Sequence, residues 1–383
     1  MDDGGRGLIL SMAGGGSSYE NVFGQFNRPR EQKTLPAGYK RIGDGNAGAY
    51  HTYDEVVDEL NSKAASHSNI MSVSDIGTTH EGRAIKMARI TGRTKKKTKG
   101  KKAEVLFMGQ THAREYISAE VALGIIKTLT DGYGKDENIT RLVNERDFYI
   151  VPVVNPDGSM KVAQELAEKG DSAWRKNTRD NNGDGKVNYQ DGVDLNRNFD
   201  SPEWGSRRGS SSTPSNETYR GTHAFSEPET AAIRDLATSH KFSVSISYHS
   251  YSNLILYPVG YTPNPTKDEA LFRKLSENMR DTQPHEKYTV QKSYDLYPTV
   301  GDSDSWLYES AKVLPFTFEI YRGGTGGGVF QAFNPPEGKI KYHVDNNVPA
   351  ALYLAGVADN PAKVLTETPK APGLSAVYSA RAK

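Results

Sequence analysis

The sequence predicts an α/β fold: a central mixed, mostly parallel, twisted β-sheet flanked by helices on both faces. Three observations predict it. Short β-branched and aromatic runs recur along the chain, helical patterns separate them, and the runs at 244–248, 254–257 and 314–320 are apolar enough to be covered on both sides.

Residues 1–48 mix Gly, Ser, Arg and Pro with little periodicity and form a loosely ordered N-terminal extension, with folding proper starting near Tyr50. A helix is expected over 53–67, with Val56, Val57, Leu60 and Ala64 on one face, and a pair of strands over 76–90. The lysine run 95–102 has two readings, a contact for an anionic polymer or a solvated hairpin tip. The second is preferred, because no aromatic is interleaved and the rest of the chain balances the charge. Val105-Leu-Phe-Met108 reads as a strand, and Ala119, Val121, Leu123, Ile125, Ile126 and Leu129 mark the helix after it. The β-rich run 148–154 ends in Asn155-Pro-Asp-Gly158, a turn signal. Ser226-Glu-Pro-Glu229 and Thr266-Lys-Asp-Glu269 carry the capping-box pattern, so helices are expected to begin there. The glycine cluster 323–328 lacks the Lys-Ser/Thr ending of a phosphate loop and any clear helix after it, and reads as a flexible loop. Residues 49–358 are expected to form one large domain, and Pro, Ala, Lys and Thr beyond it predict a loose tail over 359–383.

Composition narrows the function. The 383 residues carry 48 basic and 47 acidic side chains, a net charge of +1, so no overall field favours nucleic acid or an anionic membrane. No apolar run is long enough to span a bilayer, and the start lacks a signal-peptide layout. The absence of cysteine removes disulfides, thiolate metal sites and cysteine nucleophiles, so any metal must be held by His, Asp and Glu.

Gly109-Gln-Thr-His112-Ala-Arg114-Glu115 follows a strand and precedes a helix, which places His112 and Glu115 at a strand end. A catalytic zinc takes three protein ligands and leaves one position for water. His-x-x-Glu supplies two of them; a solvated surface pair is the alternative. His249, at the end of the run Ile246-Ser-Tyr-His249, is a candidate for the third, or else a hydrogen-bonded core histidine.

With these, Val193-Asp-Leu-Asn196-Arg197-Asn198, His249-Ser-Tyr251 and Phe316-Thr-Phe-Glu319 follow in an order that resembles the zinc metallocarboxypeptidases over about residues 50–358. The likeness is closer to their digestive and secreted bacterial branch than to the regulatory branch. It implies an exopeptidase with peptide or protein C-termini as partners, a monomer, and a secreted, extracellular location. Neither the family's prodomain nor the extra C-terminal β-domain of the regulatory branch is expected, so a mature or processed form is anticipated. The resemblance makes His112, Glu115 and His249 the zinc ligands and Glu319 the general base and acid. Arg175, in Trp174-Arg175-Lys, is the oxyanion donor, with Arg179 as the fallback. Asn196 and Arg197 would bind the terminal carboxylate and Tyr297 would close over the substrate. Arg114 would assist substrate binding further from the cleaved bond, and Tyr251 joins the substrate-binding set. Asp304 falls where the family selects its side-chain class and implies a Lys/Arg preference, with Asp302 close enough to share the pocket and favour mixed basic and apolar ends. Both aspartates could instead cap the following helix.

Between these motifs, Asp180-Asn-Asn182-Gly-Asp184-Gly185-Lys186-Val-Asn188-Tyr-Gln-Asp191 fits a calcium loop resembling those of dockerins and EF-hands. Side-chain oxygens fall at positions one, three, five, nine and twelve, Gly185 allows the sharp turn, and Lys186 would give its carbonyl. Two other functions remain open from sequence. One keeps the fold but acts on peptidoglycan or acyl-amino acid amide bonds; the other is a non-catalytic, calcium-dependent binding module.

Overall fold

The computed structural model describes residues 50–92 and 101–366. The expected extension over 1–48, residues 95–100 of the lysine run and the tail from 367 onward lie outside the described residues.

Helix α1 (Tyr53–Ser66) opens on a capping box in which Thr52 accepts from the Glu55 amide and Glu55 reaches back to the Thr52 amide. Strands β1 (Met71–Thr78) and β2 (Ala84–Ile90) form the expected hairpin. There follow β3 (Ala103–Met108), α2 (Tyr116–Gly132), α3 (Glu137–Glu145), β4 (Arg146–Val151) and α4 (Pro156–Lys169). The second half contains α5 (Pro228–Ser239), β5 (Phe242–Ser250), β6 (Leu254–Tyr257), α6 (Glu269–Thr282), β7 (Thr289–Lys292) and α7 (Ser293–Leu296). It closes with α8 (Ser303–Glu309), β8 (Leu314–Ile320), α9 (Val329–Phe333) and α10 (Ile340–Gly356).

The strands make one sheet in the order β1-β2-β4-β3-β5-β8-β6-β7. Its centre, β4-β3-β5-β8, is parallel, and antiparallel pairs appear where β2 meets β4 and where β6 meets β8. The sheet is therefore mixed and mostly parallel, as the sequence predicted. Side chains alternate across it: Val105 and Phe107 of β3 join one core with α2, α3 and α10, while Leu106 and Met108 join the other with α5 and α8. Two apolar faces need two layers of cover, which is why β3 and β4 carry the continuous apolar runs Val105–Met108 and Phe148–Val151.

The chain leaves β3 toward β4 on one side and later returns to place β5 on the other. This reversal opens a crevice at the carboxyl ends of β3 and β5, where open α/β sheets bind ligands.

Several local expectations change. Asn155-Pro-Asp-Gly158 is the start of α4 and not a turn: Asn155 accepts from the Gly158 amide and Pro156 takes the first helical position, where its missing N–H costs nothing. Helices do begin at both later boxes, at Pro228 and Glu269, but neither capping box forms. Glu227 and Asp268 occupy the cap positions without side-chain cap bonds, and the Ser226 hydroxyl donates to Glu227. The glycine cluster leads directly into α9, whose first amides donate to Asp171. Among the described residues, no helix is long and apolar enough to cross a membrane.

Candidate active site

Gly109 ends β3 where a Cβ would stand 2.7 Å from the Pro152 carbonyl oxygen and 2.8 Å from that of Ser118, so only glycine lets the loop turn toward α2. The loop carries His112 and Glu115. Glu115 holds the cap position of α2 but makes no cap bond, because its carboxylate faces the histidines. His249 lies near the end of β5 and pairs in register with Glu319 of β8. Sheet register thus sets the third expected ligand beside the expected acid–base carboxylate.

His112 Nδ1 lies 2.8 Å from Glu115 Oε1, His249 Nδ1 lies 2.9 Å from Glu115 Oε2, and the two Nδ1 atoms are 3.0 Å apart. All three residues are buried. A tetrahedral ion bonded at ~2.0–2.1 Å separates its ligand atoms by about 3.3 Å, so this donor set fits zinc with little movement. The remaining ring nitrogens are anchored: His112 Nε2 is 3.2 Å from Asp194 Oδ1 and His249 Nε2 is 3.0 Å from Ser247 Oγ. Such outer partners fix which nitrogen faces a metal.

Protonation follows from this packing. Burial tends to raise the Glu115 pKa, but the facing imidazoles of His112 and His249 outweigh it and hold the carboxyl well below its usual range. Burial and the Arg175 charge lower His112; burial also tends to lower His249, but the Glu115 charge and hydrogen bond, with the Glu319 charge, together outweigh it and raise His249. Burial pushes Glu319 up to about 8, with the Glu115 charge adding to the shift and the nearby His249, Arg175 and Arg197 opposing it. A cation in the triad would draw Glu319 back down, toward the range where a base works near neutrality.

Asp194 is the residue that sequence reasoning quoted without assigning. Its Oδ2 accepts from Arg175 Nε at 2.9 Å, and its Oδ1 meets His112 and the Asn196 amide. One buried carboxylate therefore fixes the expected oxyanion arginine, a triad histidine and the backbone of Asn196. Arg179 pairs with Glu227 at 2.7 Å, so of the two arginines it is Arg175 whose position suits the expected oxyanion role.

Arg197 is buried, its Nε donating to the Gly209 carbonyl and its guanidinium 6.0 Å from the Tyr297 ring. Asn196 accepts from the Ser303 amide, tying this pair to α8. Gly301, at φ +80°, lies so close that a Cβ would stand 2.1 Å from the Arg197 carbonyl. Arg114 stacks 4.2 Å from the Phe333 ring, which also meets Tyr251 at 5.1 Å. The two acidic candidates separate. Asp302 caps α8 through the Ser305 amide, whereas Asp304 accepts from Thr317 Oγ1 at 2.7 Å and keeps Oδ1 buried without a partner. Burial, with the Asp302 charge adding to it, raises Asp304 to about 7.

Asp180, Asp184 and Asp191 converge so that one oxygen of each lies within 4.8 Å of the others. Asp180 accepts from the Gly183 and Gly185 amides, and Asp191 from those of Asn181 and Asn188.

A family profile described as Peptidase_M14, zinc carboxypeptidase, matches residues 56–350. The chain belongs to the zinc carboxypeptidase family. This zinc carboxypeptidase is 31% identical over 345 residues to "Zinc carboxypeptidase" of Saccharothrix mutabilis subsp. capreolus, covering 87% of this chain and 73% of that one. It is 32% identical over 302 residues to "Carboxypeptidase A4" of Mus musculus, covering 77% and 68%. Its fold is similar to the crystal structure of the carboxypeptidase A from Helicoverpa armigera, with a TM-score of 0.70, 26% identity, and coverage of 82% of this chain and 75% of that one.

Proposed function

We propose that this zinc carboxypeptidase removes one residue at a time from the C-terminus of peptides, preferring Lys or Arg ends. The observation that carries the proposal is the meeting of His112, Glu115 and His249 at mutual distances of 2.8–3.0 Å beside Glu319.

His112 and His249 would hold the ion through Nδ1 and Glu115 through its carboxylate. Zinc held there would bring water toward a pKa of ~7 and polarise a carbonyl. Glu319 is placed to take a proton from an attacking water and to return one to the leaving amine. Arg175, fixed by Asp194, donates to the oxygen on which negative charge develops. Arg197, whose planar guanidinium matches a carboxylate, holds the free terminus with Asn196, and Tyr297 closes over it. Arg114 and Tyr251, on either side of Phe333, support the peptide further from the cleaved bond. The unpartnered oxygen of Asp304 then selects a cationic side chain, while Asp302 serves α8.

The Asp180–Asp191 loop is proposed as a calcium site, with Asn182, Lys186 and Asn188 completing its ligands. It sits between Arg175 and Asn196-Arg197 in the chain, so calcium would steady both. The catalytic domain is assigned to residues 49–358 and the protein to an extracellular, monomeric state, both resting on family likeness.

Peptides ending in Arg, Lys, Phe and Leu, incubated with the protein with and without a zinc chelator and followed by mass spectrometry, test the activity. Stepwise loss of terminal residues, fastest for Arg and Lys and abolished by the chelator, is expected. Internal cleavage, or no cleavage of any peptide, refutes it.

A further inference from the structure

Away from the zinc triad, the β1–β2 turn, the segment after Arg175 and the start of α5 meet over a second set of donors. His80 Nε2 lies 2.9 Å from Glu227 Oε2, and one ligand atom each of His80, Glu227 and Glu229 falls within 4.8 Å of the others. Both carboxylates are fully buried, whereas the His80 side chain is 34% exposed and offers a path from solvent.

The two carboxylates are unequally satisfied. Glu227 accepts from Arg179 at 2.7 Å, Ser226 at 2.6 Å and Asn177 at 2.8 Å. Glu229 accepts from Asn177 at 3.2 Å through Oε2 and meets its own backbone amide, while its Oε1 is buried with no hydrogen-bond partner. A buried carboxylate oxygen facing no donor is costly and calls for either a proton or a cation. Burial, with the Glu227 charge adding to it, pushes Glu229 up to about 7.

We propose that His80, Glu227 and Glu229 form a second divalent-cation site, joining the β1–β2 turn and α5 to the segment that carries Arg175. One imidazole and two carboxylates suit zinc, whereas calcium prefers oxygen alone, so this site differs in kind from the Asp180–Asp191 loop. With the Arg179 charge beside Glu227, the ionised set carries one net negative charge, as the Glu115 carboxylate gives the triad.

The test counts metal without relying on activity. The full chain, with calcium in excess, is dialysed against micromolar zinc chloride, and bound zinc is measured by mass spectrometry. Wild type should hold two equivalents and His80→Ala one. His112→Ala, which breaks the triad, should still hold one and still show a zinc-dependent rise in melting temperature. Adding His80→Ala or Glu229→Gln to it should abolish both signals. Equal zinc in wild type and His80→Ala, or no zinc on His112→Ala, overturns the proposal.

Discussion

Asp302 and Asp304 look alike in the sequence, two acidic residues apart by one serine, yet their surroundings give them different tasks. Asp302 spends its oxygens on the Ser305 amide, the Ser305 hydroxyl and Thr299. Asp304 keeps one buried oxygen free and is raised to about 7. On the proposed Lys/Arg preference, its ionised form above that value would attract a cationic substrate side chain and its neutral form below it would not. The ratio of kcat/KM for Arg-ended over Leu-ended peptides should therefore fall as pH drops through about 7. Asp304→Ala should lower kcat/KM for Arg ends by ~10²-fold, the scale of losing one partner of a buried ion pair, while sparing Leu ends. A ratio unmoved by either change would assign selectivity elsewhere. Asp194 shows the limit of reading at this scale. It stands inside a recognisable motif, but a carboxylate that orients His112 from 82 positions away is visible only once the chain is folded.

At the scale of elements, periodicity was a good guide, and punctuation marked where the later helices begin but not how they are capped. The strand runs and the helix at 116–132 follow from apolar patterning, because burial on one face or two dictates it. Asn155-Pro-Asp-Gly158 misleads because Asn and Pro serve a turn and a helix start equally well, and the helix that continues to Lys169 decides which. The Ser226 box fails because Glu227 draws the hydroxyl that would have capped α5. The acidic loop after Arg175 was legible from the spacing of its oxygens, and its three aspartates do converge. Calcium at a hundredfold excess over its dissociation constant should stabilise the chain by about 2.7 kcal/mol, raising the melting temperature by about 5 °C. Asp184→Ala, at an exposed position, should remove that shift without unfolding the protein. Melting indifferent to calcium in the unaltered chain would leave the loop a plain acidic turn.

Across the whole molecule, the site depends on sheet order. His112 follows β3, His249 ends β5 and Glu319 lies in β8; these strands are neighbours in the sheet although helices and long loops separate them in the chain. The α/β class and the donor types were legible because each rests on local pattern or on motif. The strand order was not, since register between distant strands leaves no local trace. For the same reason, the meeting of His80 with Glu227, 147 positions away, had no sequence signal. The most direct test of the assembled site is Glu319→Gln, which keeps shape and removes the proton acceptor. Zinc content should match the unaltered protein while kcat falls by ~10²- to 10⁴-fold, the usual worth of general acid–base catalysis. Full zinc with undiminished turnover of C-terminal residues would contradict the mechanism at its centre.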